Sequence, residues 1–373
     1  MPRSPIEVPF PPSESYSEII DVRSESEFAQ DCIPGAINLP VLHDRERAEV
    51  GTTYHQRSPF EARKQGAAVV ARNVAAHLEA HFACRDRDYT PLIYCWRGGQ
   101  RSSSLAQVLA QIGWRTLVLQ GGYKAYRAYV RQQLAARLPQ FRYRILCGLT
   151  GTGKTQLLHQ LQSRGVQVLD LEGLAHHRGS LLGQVWGDRP QAQPAQKAFE
   201  SQLLQAVQAL DPRYPVWVES ESSKVGNIHL PAPLWQAMKQ ASCVEIALPV
   251  AERVEWLLQQ YPHWRDNPQA LKHKLSSLKA QHGRQRVARW HHLVDTGQLR
   301  TLVRELLECH YDPAYRRSME RTFAGRVELS LPLPDHSAGS IARALDALVA
   351  RSQPQVLEQA RACHAGEDGG DSN

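Results

Sequence analysis

Residues 148–155 read Gly-Leu-Thr-Gly-Thr-Gly-Lys-Thr. A loop of this composition works in one setting: a buried strand ends where it begins and a helix starts at its lysine, so that backbone amides converge on an anion. The flanks meet that demand. Tyr143–Cys147 is a short apolar run, and Leu157, Leu158 and Leu161 follow at helical spacing. The chain therefore contains an α/β unit with a parallel sheet. Gly148, Gly151 and Gly153 let the loop wrap, with Thr150 and Thr152 between them; Lys154 meets the outer phosphate, and Thr155 is expected to ligate Mg2+. The motif sets a di- or triphosphate as the ligand class and leaves its identity open.

A second turn lies about fifty residues upstream, where Cys95 closes the apolar run Leu92-Ile93-Tyr94 and Trp-Arg-Gly-Gly-Gln-Arg-Ser follows. Amides of that turn and of the next helix should converge on the sulfur, lowering its pKa and holding a thiolate, a persulfide or a bound oxyanion. Arg97 and Arg101 are placed to add charge-assisted contacts. A phosphate grip and a reactive sulfur in one polypeptide restrict the chemistry more than either motif alone.

From position 19 to 122 short apolar runs alternate with amphipathic segments: Ile19-Ile20, residues 69–82, Leu105, Val108, Leu109 and Ile112, then Leu117-Val118-Leu119. The expected organisation is α/β with two modules: a parallel-sheet domain over 1–125, a linking helix over 126–140, and a P-loop domain over 141–352. In the latter, strands are expected at 166–169, 216–218 and 244–248, with a helix carrying Phe199, Leu203, Val207 and Leu210 and a helical, polar, basic region from His263 onward. Residues 353–373 drift into Gly, Asp and Ser and are expected to be a disordered tail.

The acids Asp170, Glu172, Glu219 and Glu221 fall at expected strand ends beside the loop, where carboxylates hold magnesium or act as acid or base. Between Leu271 and Trp290 stand Lys272, Lys274, Lys279, Arg284, Arg286 and Arg289 with no acid, interleaved with His273, His282, Trp290 and His291. That composition suits a folded RNA, with phosphate contacts and an occasional stacking ring; a solvated helix face is the plainer alternative. The net charge of +7 and pI near 9.1 agree with a polyanionic partner. Seven scattered cysteines without a Cys-x-x-Cys pair argue against a disulfide framework or zinc ribbon and for a reducing compartment. No apolar stretch approaches the ~20 residues of a membrane span, so a cytoplasmic protein is expected. His77 and His81 stand four apart, a spacing that can bind metal, but nothing nearby completes a site. Cys32 and Cys147 read as packed residues.

Asp21-Val22-Arg23, Glu27-Phe28 and Ile33-Pro34-Gly35-Ala36-Ile37-Asn38 resemble the entry signature of rhodanese domains. The order of this unit, the Cys95 loop, the phosphate loop and Asp170-Leu171-Glu172-Gly173-Leu174 with His177-Arg178-Gly179-Ser180 resembles bacterial tRNA 2-selenouridine synthases. Further matches are Glu46-Arg47-Ala48-Glu49-Val50-Gly51-Thr52, Ser58-Pro59-Phe60-Glu61-Ala62-Arg63 and Tyr311-Asp312-Pro313-Ala314-Tyr315. The resemblance implies a transferase acting on tRNA with 2-thiouridine at the wobble position. Its sulfur would be geranylated from geranyl diphosphate and then replaced by selenium from selenophosphate. It further implies a selenophosphate-supplying enzyme as partner, both donors as co-substrates, Mg2+ as helper and no tightly bound cofactor. On this reading Lys154 grips the departing diphosphate and Cys95 handles selenium with Arg97 and Arg101. Two alternatives stand beside it. An ATP-dependent tRNA sulfurtransferase would use the loop to activate uridine and Cys95 to deliver sulfur, and the Cys-x5-Arg spacing from Cys95 to Arg101 also suits a rhodanese-fold phosphatase.

Overall fold

The computed structural model describes residues 4–179 and 192–352. It divides into two compact units. The first takes in the chain to Ala135 together with 194–204, and the second comprises 136–193 and the chain from Gln205 on. Both are built on parallel sheets.

In the first unit, β1 (Ile6–Val8), β2 (Glu18–Asp21), β3 (Ala36–Asn38), β4 (Pro91–Tyr94) and β5 (Leu117–Leu119) lie in the order β1-β5-β4-β2-β3. Every pairing is parallel. The central strand β4 is buried along its length, so it reads as an unbroken apolar run instead of an alternating one. Helix Gln100–Ile112 sends Leu105, Ala106 and Leu109 against Ile20, Ile93 and Val118. Burying a leucine or isoleucine contributes about 1.5–3 kcal/mol. This packing fixes the turn between β4 and that helix, which carries Cys95.

In the second unit, β6 (Tyr143–Cys147), β7 (Val216–Glu219), the hairpin strands β8 (Lys224–Val225) and β9 (Ile228–His229), β10 (Ser242–Ala247) and β11 (Val327–Pro332) follow along the chain. The main sheet has the order β11-β10-β6-β7 and is parallel throughout. Helix Lys154–Ser163 packs Leu157, Leu158 and Leu161 on Leu146, Val244 and Ile246. The strand feeding the phosphate loop thus lies inside the sheet, and the loop opens at the strand's C-terminal end, the usual ligand edge of such sheets.

The second unit also has a helical core around Trp264, Leu271, Leu275, Val287, Trp290 and Leu302.

Four sequence expectations change here. Residues 166–169 form no strand: only Val168 bridges to Trp217, because Asp170 at once caps the next helix and the Gln167 side chain is spent on the carbonyls of Asp211 and Tyr214. The region after His263 contributes an edge strand, β11, whose alternating Leu329 and Leu331 pack on the sheet core. Helix Gly122–Arg137 groups with the first unit up to Ala135, since Tyr123, Tyr126, Val130 and Leu134 are buried, and residues 194–204 join the same unit. Trp290 is fully buried in the helical core, so it presents no face for a base. The tail expected over 353–373 lies outside the described residues. Among the described residues no helix is long and apolar enough to cross a membrane.

Candidate functional site

The cysteine loop is a closed cradle. Cys95 is 3 % exposed, and its Sγ accepts from the Gly99 amide at 3.3 Å and the Ser102 hydroxyl at 3.2 Å. Burial pushes the thiol pKa up. The Ser102 hydroxyl and the amides of Ser102, Arg97 and Gly99 outweigh it and hold the thiol below its ordinary value. Gly122 comes so close that a Cβ there would meet the Cys95 carbonyl at 2.3 Å, which presses the loop shut from behind. Tyr94, fully buried, accepts from the Ile33 amide at 3.1 Å and ties the cysteine strand to the entry segment.

The two arginines part company. Arg101 is bound to Glu27 at 2.7 Å, which holds the Glu27 carboxyl down despite its burial, so much of its charge is already balanced. Arg97 is exposed. Ser102 is the residue that sequence reasoning passed over; its position one turn into the helix after Cys95 was the available signal. Burial and the charge of Asp31 raise the Cys32 thiol to about 11, away from the thiolate form. His77 and His81 bind separately, to the Pro40 carbonyl and to Glu18.

The phosphate loop follows its sequence. Gly148, Gly151 and Gly153 all have positive φ, and a Cβ on Gly148 would meet the Ile246 carbonyl at 2.7 Å. Thr152 Oγ1 donates to Leu149 O, fixing the turn from inside, and Lys154 Nζ donates to Gly148 O at 2.7 Å. Two struts hold the loop from outside. Tyr315 OH accepts from the Gly148 amide at 2.7 Å and bonds Ser220 Oγ at 2.8 Å. Arg253, buried and paired twice to Asp312, donates to Thr150 O at 3.1 Å. Asp312 and Tyr315 belong to the Tyr-Asp-Pro-Ala-Tyr segment; nothing in the sequence marked Arg253.

Three of the four candidate acids meet. Ligand atoms of Glu172, Glu219 and Glu221 lie within 4.8 Å of one another, and Thr155 Oγ1 donates to Glu172 at 3.2 Å. Burial raises each carboxyl and the neighbouring acids raise it further, to about 8 for Glu172 and Glu219 and about 7 for Glu221. Glu219 Oε1 is buried without a hydrogen-bond partner among the described residues. Oxygens so arranged beside a phosphate loop fit a hard divalent cation, which would remove their mutual repulsion. Asp170 stands apart: it caps helix Leu171–Leu174 through the Gly173 amide and pairs with His159.

The loop and the acids face a cavity of about 710 Å³ whose walls include Arg178, Tyr261, Tyr311 and Tyr315. Arg178 lies over the Tyr261 ring at 5.0 Å. A second, apolar chamber of about 70 Å³ shares Thr150, Leu257, Tyr261 and Tyr311 with it. Leu258, Trp264, Leu302 and Leu306 complete much of its lining.

The basic segment divides. Lys272 is bound to Asp295 and Arg289 to Glu305, both within the fold. Lys279, Arg284 and Arg286 are exposed and have no ion pair among the described residues, and Gly283 at φ +79° kinks the helix beside them. Lys274 is half-buried, and burial together with its charge keeps His177 below the ordinary histidine value. Ser180 lies outside the described residues.

Fold and loops together define a rhodanese-like unit followed by a P-loop unit. The model of the rhodanese-like domain matches residues 12–129, and that of the tRNA 2-selenouridine synthase AAA domain matches 141–327. A tRNA 2-selenouridine synthase of Salmonella arizonae is 35% identical over 340 residues, covering 83% of this chain and 91% of that protein. One of Sulfurovum is 37% identical over 245 residues, 65% of each chain. The chain belongs to the tRNA 2-selenouridine synthase family.

Proposed function

We propose that this chain converts wobble 2-thiouridine in tRNA to 2-selenouridine in two steps, with geranyl diphosphate and selenophosphate as co-substrates. In the first, the thiouridine sulfur bonds to C1 of the geranyl group as the C–O bond to diphosphate breaks, the electron pair leaving on the phosphate oxygen. In the second, the selenium of selenophosphate adds to the ring carbon and the alkylated sulfur departs as geranyl thiolate; water then takes the phosphoryl group from selenium, breaking the P–Se bond and leaving 2-selenouridine and inorganic phosphate. A thiocarbonyl sulfur is a poor leaving group; alkylation makes it a good one.

The observation that carries this reading is the apolar chamber beside the phosphate loop. A nucleoside triphosphate offers polar ribose and base to such a wall. A prenyl diphosphate offers an anionic head and a hydrocarbon tail, and each CH₂ buried contributes about 0.8 kcal/mol. Lys154 and the loop amides meet charge that grows on the departing diphosphate. Glu172, Glu219, Glu221 and Thr155 are the residues that would hold Mg2+, which when bound neutralises the diphosphate. Cys95 handles selenium, as carrier or as positioning group, from a site that stabilises an anionic chalcogen. Exposed Lys279, Arg284 and Arg286 supply phosphate contacts for tRNA.

Mass spectrometry of the wobble nucleoside tests the reading. Geranylated product is expected with geranyl diphosphate alone, and selenouridine only when selenophosphate is added. A requirement for ATP would favour a sulfurtransferase, and release of phosphate from generic esters without tRNA would favour a phosphatase.

A further inference from the structure

Arg101 is engaged by Glu27 and Arg97 points to solvent-exposed surface, so the cysteine loop lacks a fixed, uncommitted cation among the residues that follow Cys95. One comes from far along the chain. Lys197, in the segment 194–204 that belongs to the first unit, places Nζ 5.1 Å from the centroid of the Trp96 ring and 6.0 Å from that of Tyr123. Trp96 follows the nucleophile directly, and the Tyr123 amide donates to the Cys95 carbonyl at 2.8 Å.

Three features set Lys197 apart from an ordinary surface lysine. It is half-buried, yet no carboxylate among the described residues forms an ion pair with it. It occupies the first turn of helix Gln196–Gln208, the end where the helix dipole disfavours a cation. The segment carrying it is clamped by a buried polar network. Arg127 donates to the Lys197 carbonyl and to Ser201 Oγ, each at 3.2 Å, and pairs with Glu200; Ser201 and Tyr123 both donate to Asp31, at 3.0 and 2.8 Å. Aromatic faces stabilise a cation without neutralising it, so the charge stays available to a ligand.

We propose that Lys197 is the anion-recognition residue of the Cys95 loop, drawing a small oxyanion-bearing donor toward the sulfur. The role does not depend on the donor being selenophosphate, nor on any event at the phosphate loop.

Alkylation of the full-length protein with iodoacetate and with iodoacetamide tests it, each reaction followed at Cys95 by peptide mass spectrometry because Cys84 is exposed and reacts as well. Both reagents form the same S–C bond and expel iodide; only iodoacetate carries a negative charge. For Lys197→Gln the iodoacetate rate is expected to fall roughly three- to tenfold while the iodoacetamide rate is kept, with Lys197→Arg close to wild type and the difference shrinking in high salt. An unchanged iodoacetate rate would overturn the proposal. So would an equal fall with both reagents, which would mean that Lys197 shapes the loop or the thiolate, or no alkylation of wild-type Cys95 at all.

Discussion

The two glycine-rich turns share one plan, strand then tight loop then helix, and differ in how they treat charge. At Cys95 the anion belongs to the chain itself: a hydroxyl and backbone amides surround the sulfur, and the nearby Arg101 is balanced by Glu27. At Lys154 the anion is to be supplied from outside, and the chain has gathered three carboxyls of raised pKa within reach of the same loop. The first turn favours charge on its own sulfur by donating hydrogen bonds to it. The second gathers carboxyls whose mutual repulsion a divalent cation would relieve. A thiolate needs permanent shelter, whereas a diphosphate must be gripped and then released.

A large effect that bears on this contrast is expected from the acid cluster. Glu219→Gln should weaken Mg2+ binding by roughly ten- to a hundredfold, measured calorimetrically, without changing the alkylation rate of Cys95. The pH dependence has a definite sign. The three carboxyls are raised above 4.5, so what they contribute to stability is present below that pH and is lost as pH climbs through about 7 to 8. Mg2+ should therefore raise the unfolding temperature more at pH 8.5 than at pH 6, and its binding at pH 7 should release protons. Equal stabilisation at both pH values would remove the cluster from the metal site.

A smaller effect sharpens the phosphate side. Leu258→Trp, which fills the half-buried wall of the apolar chamber, should raise the KM for geranyl diphosphate about tenfold and leave inhibition by inorganic pyrophosphate unchanged. Parallel loss of both would place the tail elsewhere. On the sulfur side, Ser102→Ala removes one donor to the thiolate and should move the pH midpoint of Cys95 alkylation up by about one unit. The least effect is expected on tRNA binding, where Arg284→Ala or Arg286→Ala should each lower the slope of log affinity against log salt by about one, whereas Arg289→Ala, whose charge is held by Glu305, should change it less.

Both loops were legible in the sequence because each is local: glycines at fixed spacing, an apolar strand before, a helix after. Glu172, Glu219 and Glu221 were equally readable as acids at strand ends, yet their meeting depends on sheet order. Asp170 looked the same and became a helix cap, because its carboxylate reaches the Gly173 amide first. Arg253 carried no sequence signal; its place under Thr150 follows from helix Val250–Gln260 packing beside the loop. Trp290 shows the opposite error. Set among lysines and arginines it read as a stacking ring, but it lies on the one apolar stripe of its helix, with Val287, Leu293 and Val294. Lys197 was unreadable, since its partners Trp96 and Tyr123 lie about a hundred and about seventy-five residues earlier in the chain.

The division of labour between the loops is tested most directly by two variants and one readout, the mass spectrum of the wobble nucleoside after incubation with both donors. Cys95→Ala should stop at geranylated 2-thiouridine, and Lys154→Ala should leave 2-thiouridine unchanged, its geranyl transfer slowed by about 10²- to 10³-fold. Geranylation that survives Lys154→Ala but disappears in Cys95→Ala would contradict the account.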